Sequence, residues 1–105
     1  MEPLSEKVLF KEGSSLVAFR RQDEKYDFNW HIHPEFEIVF IVEGFGTRYV
    51  GNSVEDYRQG EVVFVSPGIP HAWQSAEEST QNNAYVVHFD KECFGCDWYR
   101  ANELK

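Results

Sequence analysis

Trp30-His31-Ile32-His33-Pro34-Glu35-Phe36-Glu37 is the stretch on which the reading of this chain turns. Phe28 to His33 alternates as a strand does, with Trp30 and Ile32 on one face and His31 and His33 on the other. Pro34 interrupts that strand. Glu37 lies four residues beyond His33, at the start of the most apolar segment, Phe36 to Glu43. A further histidine, His71, follows a glycine- and proline-rich turn, Ser66-Pro67-Gly68-Ile69-Pro70. Three imidazoles and one carboxylate brought together form a ligand set for a divalent transition metal such as Zn, Ni, Fe, Mn or Cu. Four such ligands in an expandable shell leave room for water or a small oxygen-bearing molecule.

Around this stretch the chain is a succession of short apolar-alternating runs broken by Gly, Pro, Asn and Asp, the rhythm of a β-sandwich or barrel. Strands are expected at Ser15 to Arg21, Phe28 to His33, Phe36 to Glu43, Thr47 to Val50, Val54 to Tyr57, Val62 to Val65, Ala72 to Ser75 and Ala84 to Phe89. Gly51-Asn52 suits a tight hairpin that needs positive φ. From Asp90 the alternation stops. Asp97 to Lys105 reads as the start of a helix, with Asp97 as N-cap and Trp98, Ala101 and Leu104 on one face. That helix stops after about two turns, as in a chain cut short.

With 105 residues the chain makes one domain. Hydrophobic residues are 42% and aromatics 16%, enough to fill a core and exclude intrinsic disorder. The net charge of −8 repels phosphate, so these residues are not expected to bind nucleic acid or anionic membranes themselves. The longest apolar run, Ile38 to Val42, is far too short to span a bilayer. Met1 to Ser5 shows no secretory h-region, and a cytoplasmic setting is the default expectation. Cys93 and Cys96 form a C-x-x-C, read as two reduced thiols because nothing around them is βαβ and no further zinc ligands are near.

The residues above resemble the cupins. Their first motif, G-x5-H-x-H-x3-E-x6-G, is met by His31, His33, Glu37 and Gly44, with Lys25 in place of the leading glycine. Their second, G-x5-P-x-G-x2-H-x3-N, is met by Gly60, Gly68 and His71, with Ser66 and Ser75 departing from it. More narrowly, Trp30 to Glu37, Gly44 to Gly51, Pro67 to Trp73 and His88-Phe89-Asp90 resemble the amino-terminal sensor domain of AraC-type transcriptional regulators. The resemblance implies an all-β cupin jelly-roll barrel over residues 1–92. Residues 93–105 would begin a C-terminal helical segment, with the DNA-binding half absent.

It also implies a small-molecule effector, a sugar among the candidates, bound in the barrel. His31, His33, Glu37 and His71 are the metal candidates. Trp30, Tyr49, Trp73 and His88 are the ligand-contact candidates, although most aromatics in a small barrel are core. His88 either faces the cavity or packs in the sheet, the commoner place for a lone strand histidine. Arg20, Arg21 and Arg48 could neutralise an anion, although arginines on strands are usually solvated. A homodimer is expected, with no membrane partner and DNA contacted only through the missing half. The alternatives are a free-standing cupin metalloenzyme, an oxygenase or isomerase, and a metal-free carbohydrate-binding module.

Overall fold

The computed structural model describes residues 2–91, and these form nine strands in two sheets. In chain order they are β1 (Leu4–Ser5), β2 (Leu16–Asp23), β3 (His31–Ile32), β4 (Phe36–Glu43), β5 (Phe45–Val50), β6 (Ser53–Arg58), β7 (Val62–Val65), β8 (His71–Ser75) and β9 (Asn82–Phe89). One sheet runs β1-β3-β8-β5-β6 and the other β2-β9-β4-β7. Every pairing is antiparallel except β1 with β3. The expected all-β barrel is present. The anticipated helix from Asp97, the pair Cys93 and Cys96, and the boundary at residue 92 lie outside the described residues.

Strand alternation builds the interior. On β4, Glu37, Val39 and Ile41 are buried, and their partners are His88, Val86 and Ala84 on β9. Paired residues share a face, so the inner layer of this sheet is apolar at the Ile41 end and polar at the Glu37 end. Tyr26, Tyr57 and Trp73 close the apolar part of the core, with the Tyr57 and Trp73 rings edge to face at 5.3 Å. Phe40, Val42, Val62, Phe64 and Tyr85 point the other way and stay exposed on the outer face of the four-stranded sheet.

Six of the eight expected strands differ in extent, four of them, β5, β6, β8 and β9, only by one or two residues added at an end, and the other two differences are informative. The first reaches Asp23 rather than Arg21 because it pairs with β9 in register as far as Asn82. The Phe28 to His33 strand shrinks to His31–Ile32. Its first half is pulled out of the ladder, since Lys25 Nζ donates to the carbonyls of Ala76 (2.7 Å) and Glu77, and Tyr26 exchanges bonds with Ser75. The lysine that stands where the motif has glycine therefore ties down the β8–β9 loop. Gly51-Asn52 makes the expected hairpin between β5 and β6, and Gly51 takes φ 58°, in the left-handed region open to glycine.

Candidate metal centre

Three short elements deliver the imidazoles to one place. β3 and β8 pair His31 directly with His71, and the turn after β3 carries His33 inward, where it is 2% exposed. Glu37 arrives from the opposite sheet. One nitrogen from each of His31, His33 and His71 and one oxygen of Glu37 all lie within 4.8 Å of one another.

The outer nitrogens are held by backbone. Nδ1 of His31 lies 2.6 Å from the Asn29 carbonyl, that of His33 3.2 Å from the Glu35 carbonyl, and that of His71 2.8 Å from the Ile69 carbonyl. A carbonyl only accepts, so in each ring Nδ1–H donates. In the neutral ring that leaves Nε2 as a lone pair aimed inward, the arrangement in which a histidine serves a metal. His71 Nε2 has no hydrogen-bond partner although it is fully buried, and leaving such an atom unpaired is costly. His33 Nε2 sits 3.0 Å and His71 Nε2 3.4 Å from the same Glu37 oxygen. Nitrogen lone pairs facing a carboxylate need positive charge between or upon them. The donor set fits a divalent metal on these grounds.

The charges are tuned accordingly. Burial alone would push Glu37 up, but the imidazoles of His33, His71 and His88 around it hold it well below the usual carboxylate range. Burial also works against charging His33, yet the Glu37 hydrogen bond and charge outweigh it and leave His33 above its ordinary value. For His31 burial prevails over its contact with the Asn29 carbonyl, and its value is lowered. Glu6, carried in by β1, stands 3.3 Å from His31 Nε2 at the rim.

His88 is placed differently from the in-sheet packing that its lone position suggested. It faces inward opposite Glu37, and its Nε2 lies 2.6 Å from Glu37 Oε1. A neutral ring donates Nε2–H there, steadying the carboxylate from behind. The signal was present in the sequence: Ala84, Val86 and His88 alternate on one face, which puts His88 in the core layer.

A cavity of about 510 Å³ opens onto the cluster, lined among others by Phe19, Arg21, His31, Glu37, Trp73 and His88. Two of the four ligand-contact candidates, Trp73 and His88, therefore reach it. Trp30 and Tyr49 do not. Tyr49 pairs with Ala72, one step out of phase with His71 and Trp73, and its hydroxyl donates to Gln74 on the outer face. Phe28 stacks on Trp30 and meets Tyr49 edge to face, so the three rings form an external group. Arg48 is ion-paired with Glu55, whereas Arg21 lines the cavity.

Comparison with known proteins agrees with this architecture. Residues 14–95 match the family described as the AraC-like ligand binding domain. The chain is 30% identical over 70 residues to the (R)-mandelonitrile lyase of Granulicella tundricola, covering 66% of this chain and 53% of that protein. It thus spans about half the length of that curated relative. A cupin 2 conserved barrel domain protein from Rhodopseudomonas palustris superposes with a TM-score of 0.64 at 19% identity, over 78% of this chain and 57% of the other. The iron(II) form of HppE in complex with substrate gives a TM-score of 0.64 at 25% identity, over 71% and 46%.

Proposed function

This chain belongs to the AraC-like ligand-binding domain family, and on that premise we propose that it senses a small-molecule effector inside the barrel, at a divalent metal held by His31, His33, Glu37 and His71. The observation that carries the reading is the convergence of those four donors, with His31 and Glu37 lining the cavity and the buried His71 Nε2 unpartnered among them. Bound there, Zn, Ni, Fe or Mn would supply a Lewis-acidic position for an oxygen of the ligand. The protein's part is to hold three imidazoles through their Nδ1 contacts, to steady Glu37 through His88, and to wall the ligand with Trp73.

The remainder of the proposal follows from the family. Residues 1–92 form the sensor and 93–105 lead into helices. In a longer protein those helices connect to a DNA-binding half whose arrangement the effector biases. The chain works as a homodimer in the cytoplasm, and a ligand shifts the regulator only by its differential affinity for the two arrangements. Thermal melting of the zinc-supplemented chain against a small-molecule library tests the binding step. A true ligand at a hundredfold excess over its Kd stabilises by about 2.7 kcal/mol, and His31→Ala should remove that gain. A library without effect on wild type, or gains untouched by His31→Ala, would count against the site.

A second reading, a metal-dependent cupin enzyme, draws support from the likeness to an iron(II) protein in complex with substrate and to a lyase. Turnover of a bound compound by the metal-loaded chain would favour it. Unchanged compound after prolonged incubation favours sensing.

A further inference from the structure

Arg21 is the one arginine of the described residues that lines the cavity with the histidines. Along β2, Val17, Phe19 and Arg21 pair with the inward-facing His88, Val86 and Ala84, which puts Arg21 on the cavity side of the strand, at its mouth, with its side chain 39% exposed. Its guanidinium carbon lies 4.8 Å from the centre of the Tyr26 ring, and a planar cation resting on an aromatic face is held in place without using its N–H groups. The nearest carboxylate, Asp23, is 3.9 Å away, beyond hydrogen-bond reach. No hydrogen bond among the described residues occupies the five N–H donors of this guanidinium.

The geometry gives the cavity two polar ends. His88 and Ala84, the β9 residues opposite Val17 and Arg21, are four residues apart, roughly 13 Å along the strand. Between the two ends the wall is Phe19, Trp73 and Val86. A molecule with an oxygen at the histidine end, an apolar middle and an anion at the other end would meet the histidines, the Phe19, Trp73 and Val86 wall and Arg21 in turn. The planar fork of arginine matches a carboxylate by two parallel hydrogen bonds. The two carboxylates of the wall, Glu6 and Glu37, stand at the histidine end against imidazole nitrogens, so Arg21 is the one arginine at the far end and matches one carboxylate there.

Resting on the ligand-binding reading above, we propose that Arg21 is the recognition residue and that the effector is a small monocarboxylate with an apolar body. The class is narrower than the sugar considered from the sequence, because a neutral polyol would leave the guanidinium without an anion and the apolar wall without a partner.

Calorimetric titration of the full zinc-supplemented chain tests this with a panel of monocarboxylates from acetate to benzoate and phenylacetate, their primary amides, and neutral pentoses. The acids with apolar bodies should bind at least tenfold tighter than their amides. Arg21→Gln should bring the acids down to the amide level while changing the amides less than twofold, and Arg21→Lys should restore part of the difference. The comparison of acid with amide is made on the unsubstituted chain, so it stands even if a variant folds poorly. Amides or pentoses that bind as well as the acids, or acids indifferent to Arg21→Gln, overturn the proposal and leave the ligand-binding reading standing. If no compound of the panel binds, the monocarboxylate proposal falls, and the ligand-binding reading is decided by the melting experiment with the wider library.

Discussion

Glu37 shows how a single residue governs the site. Its carboxylate is held below the ordinary value of 4.5, so in the folded chain it stays ionised at pH values where the unfolded chain takes up a proton. The stabilisation it brings is present above pH 4.5 and is lost as the pH falls. His33 acts in the opposite sense: raised above 6.5, it contributes below that pH and loses the contribution as the pH rises through its folded value. His31, lowered, opposes His33 over the same range. The acid limb is therefore the distinctive one. Urea midpoints of the chelator-treated chain should fall steeply below pH 4.5, and those of Glu37→Gln should be much flatter. An equal acid limb in both would show that Glu37 is not the titrating group.

Much of this site was legible at the level of single residues. His31 and His33 share one face by their i, i+2 spacing, and the resemblance to the two cupin motifs adds Glu37 and His71 to them. His88 and Arg21 have no such offset. Only the register of β9 against β4 and β2 puts them in the cavity. Each does follow the inward alternation of its own strand, Ala84-Val86-His88 and Val17-Phe19-Arg21. A period-two reading carried to the strand end places both.

Strands and their links set the scale at which close approach matters. An added Cβ at Gly46 on β5 would meet the Gln74 carbonyl oxygen at 2.1 Å and Ser75 Cα at 2.8 Å, both main-chain atoms of β8. Gly46→Ala must push two paired strands apart, and overpacking of that kind costs about 1–3 kcal/mol. A denaturant midpoint unchanged by Gly46→Ala would contradict the β5–β8 contact. Asn82 performs a related task at the start of β9. Fully buried, it donates to the carbonyls of Glu24 (2.8 Å) and Ser79 (3.1 Å) and accepts from the Ser79 hydroxyl at 2.8 Å. Asn82→Ala leaves those groups unpaired and should cost about 1–3 kcal/mol, read in the same denaturation experiment.

Element boundaries were less legible than element existence. Phe36–Glu43 and Val62–Val65 coincide with their sequence patterns. The alternation from Phe28 to Ile32 has the look of a full strand, yet the Lys25 and Tyr26 contacts with the β8–β9 connection take its first half out of the ladder. That local departure leaves Trp30 outside, beside the Phe28 ring that also meets Tyr49, which the β5–β8 register turns outward. In consequence Trp30→Ala should leave the affinity of a barrel ligand within twofold of wild type, measured by calorimetry. A tenfold loss would show that the external aromatic group and the cavity communicate.

At the scale of the whole molecule, the two sheets divide the labour. The Ile41, Ala84 and Tyr57 end of the interior is apolar but for Arg21 at the β2 edge and stabilises the barrel, while the Glu37 end gathers four histidines and a carboxylate beside an open cavity. That division explains why so polar a cluster is tolerated: the apolar half supplies the burial, and the polar half is free to be arranged for a ligand. The outer face of the four-stranded sheet, with Phe40, Val62, Phe64 and Tyr85 exposed, stays apolar in a chain whose charge is otherwise strongly acidic. No helix among the described residues is long and apolar enough to cross a membrane.

The central claim is that His31, His33, Glu37 and His71 hold a metal on which ligand recognition is built. The direct measurement is metal stoichiometry. The chain and its His33→Ala variant, both verified as folded by circular dichroism, are incubated with zinc, nickel, manganese or iron(II), desalted and analysed for bound metal. The account predicts one ion per wild-type chain for at least one of these metals and none in the variant. Wild type and variant carrying equally little of every metal would contradict it.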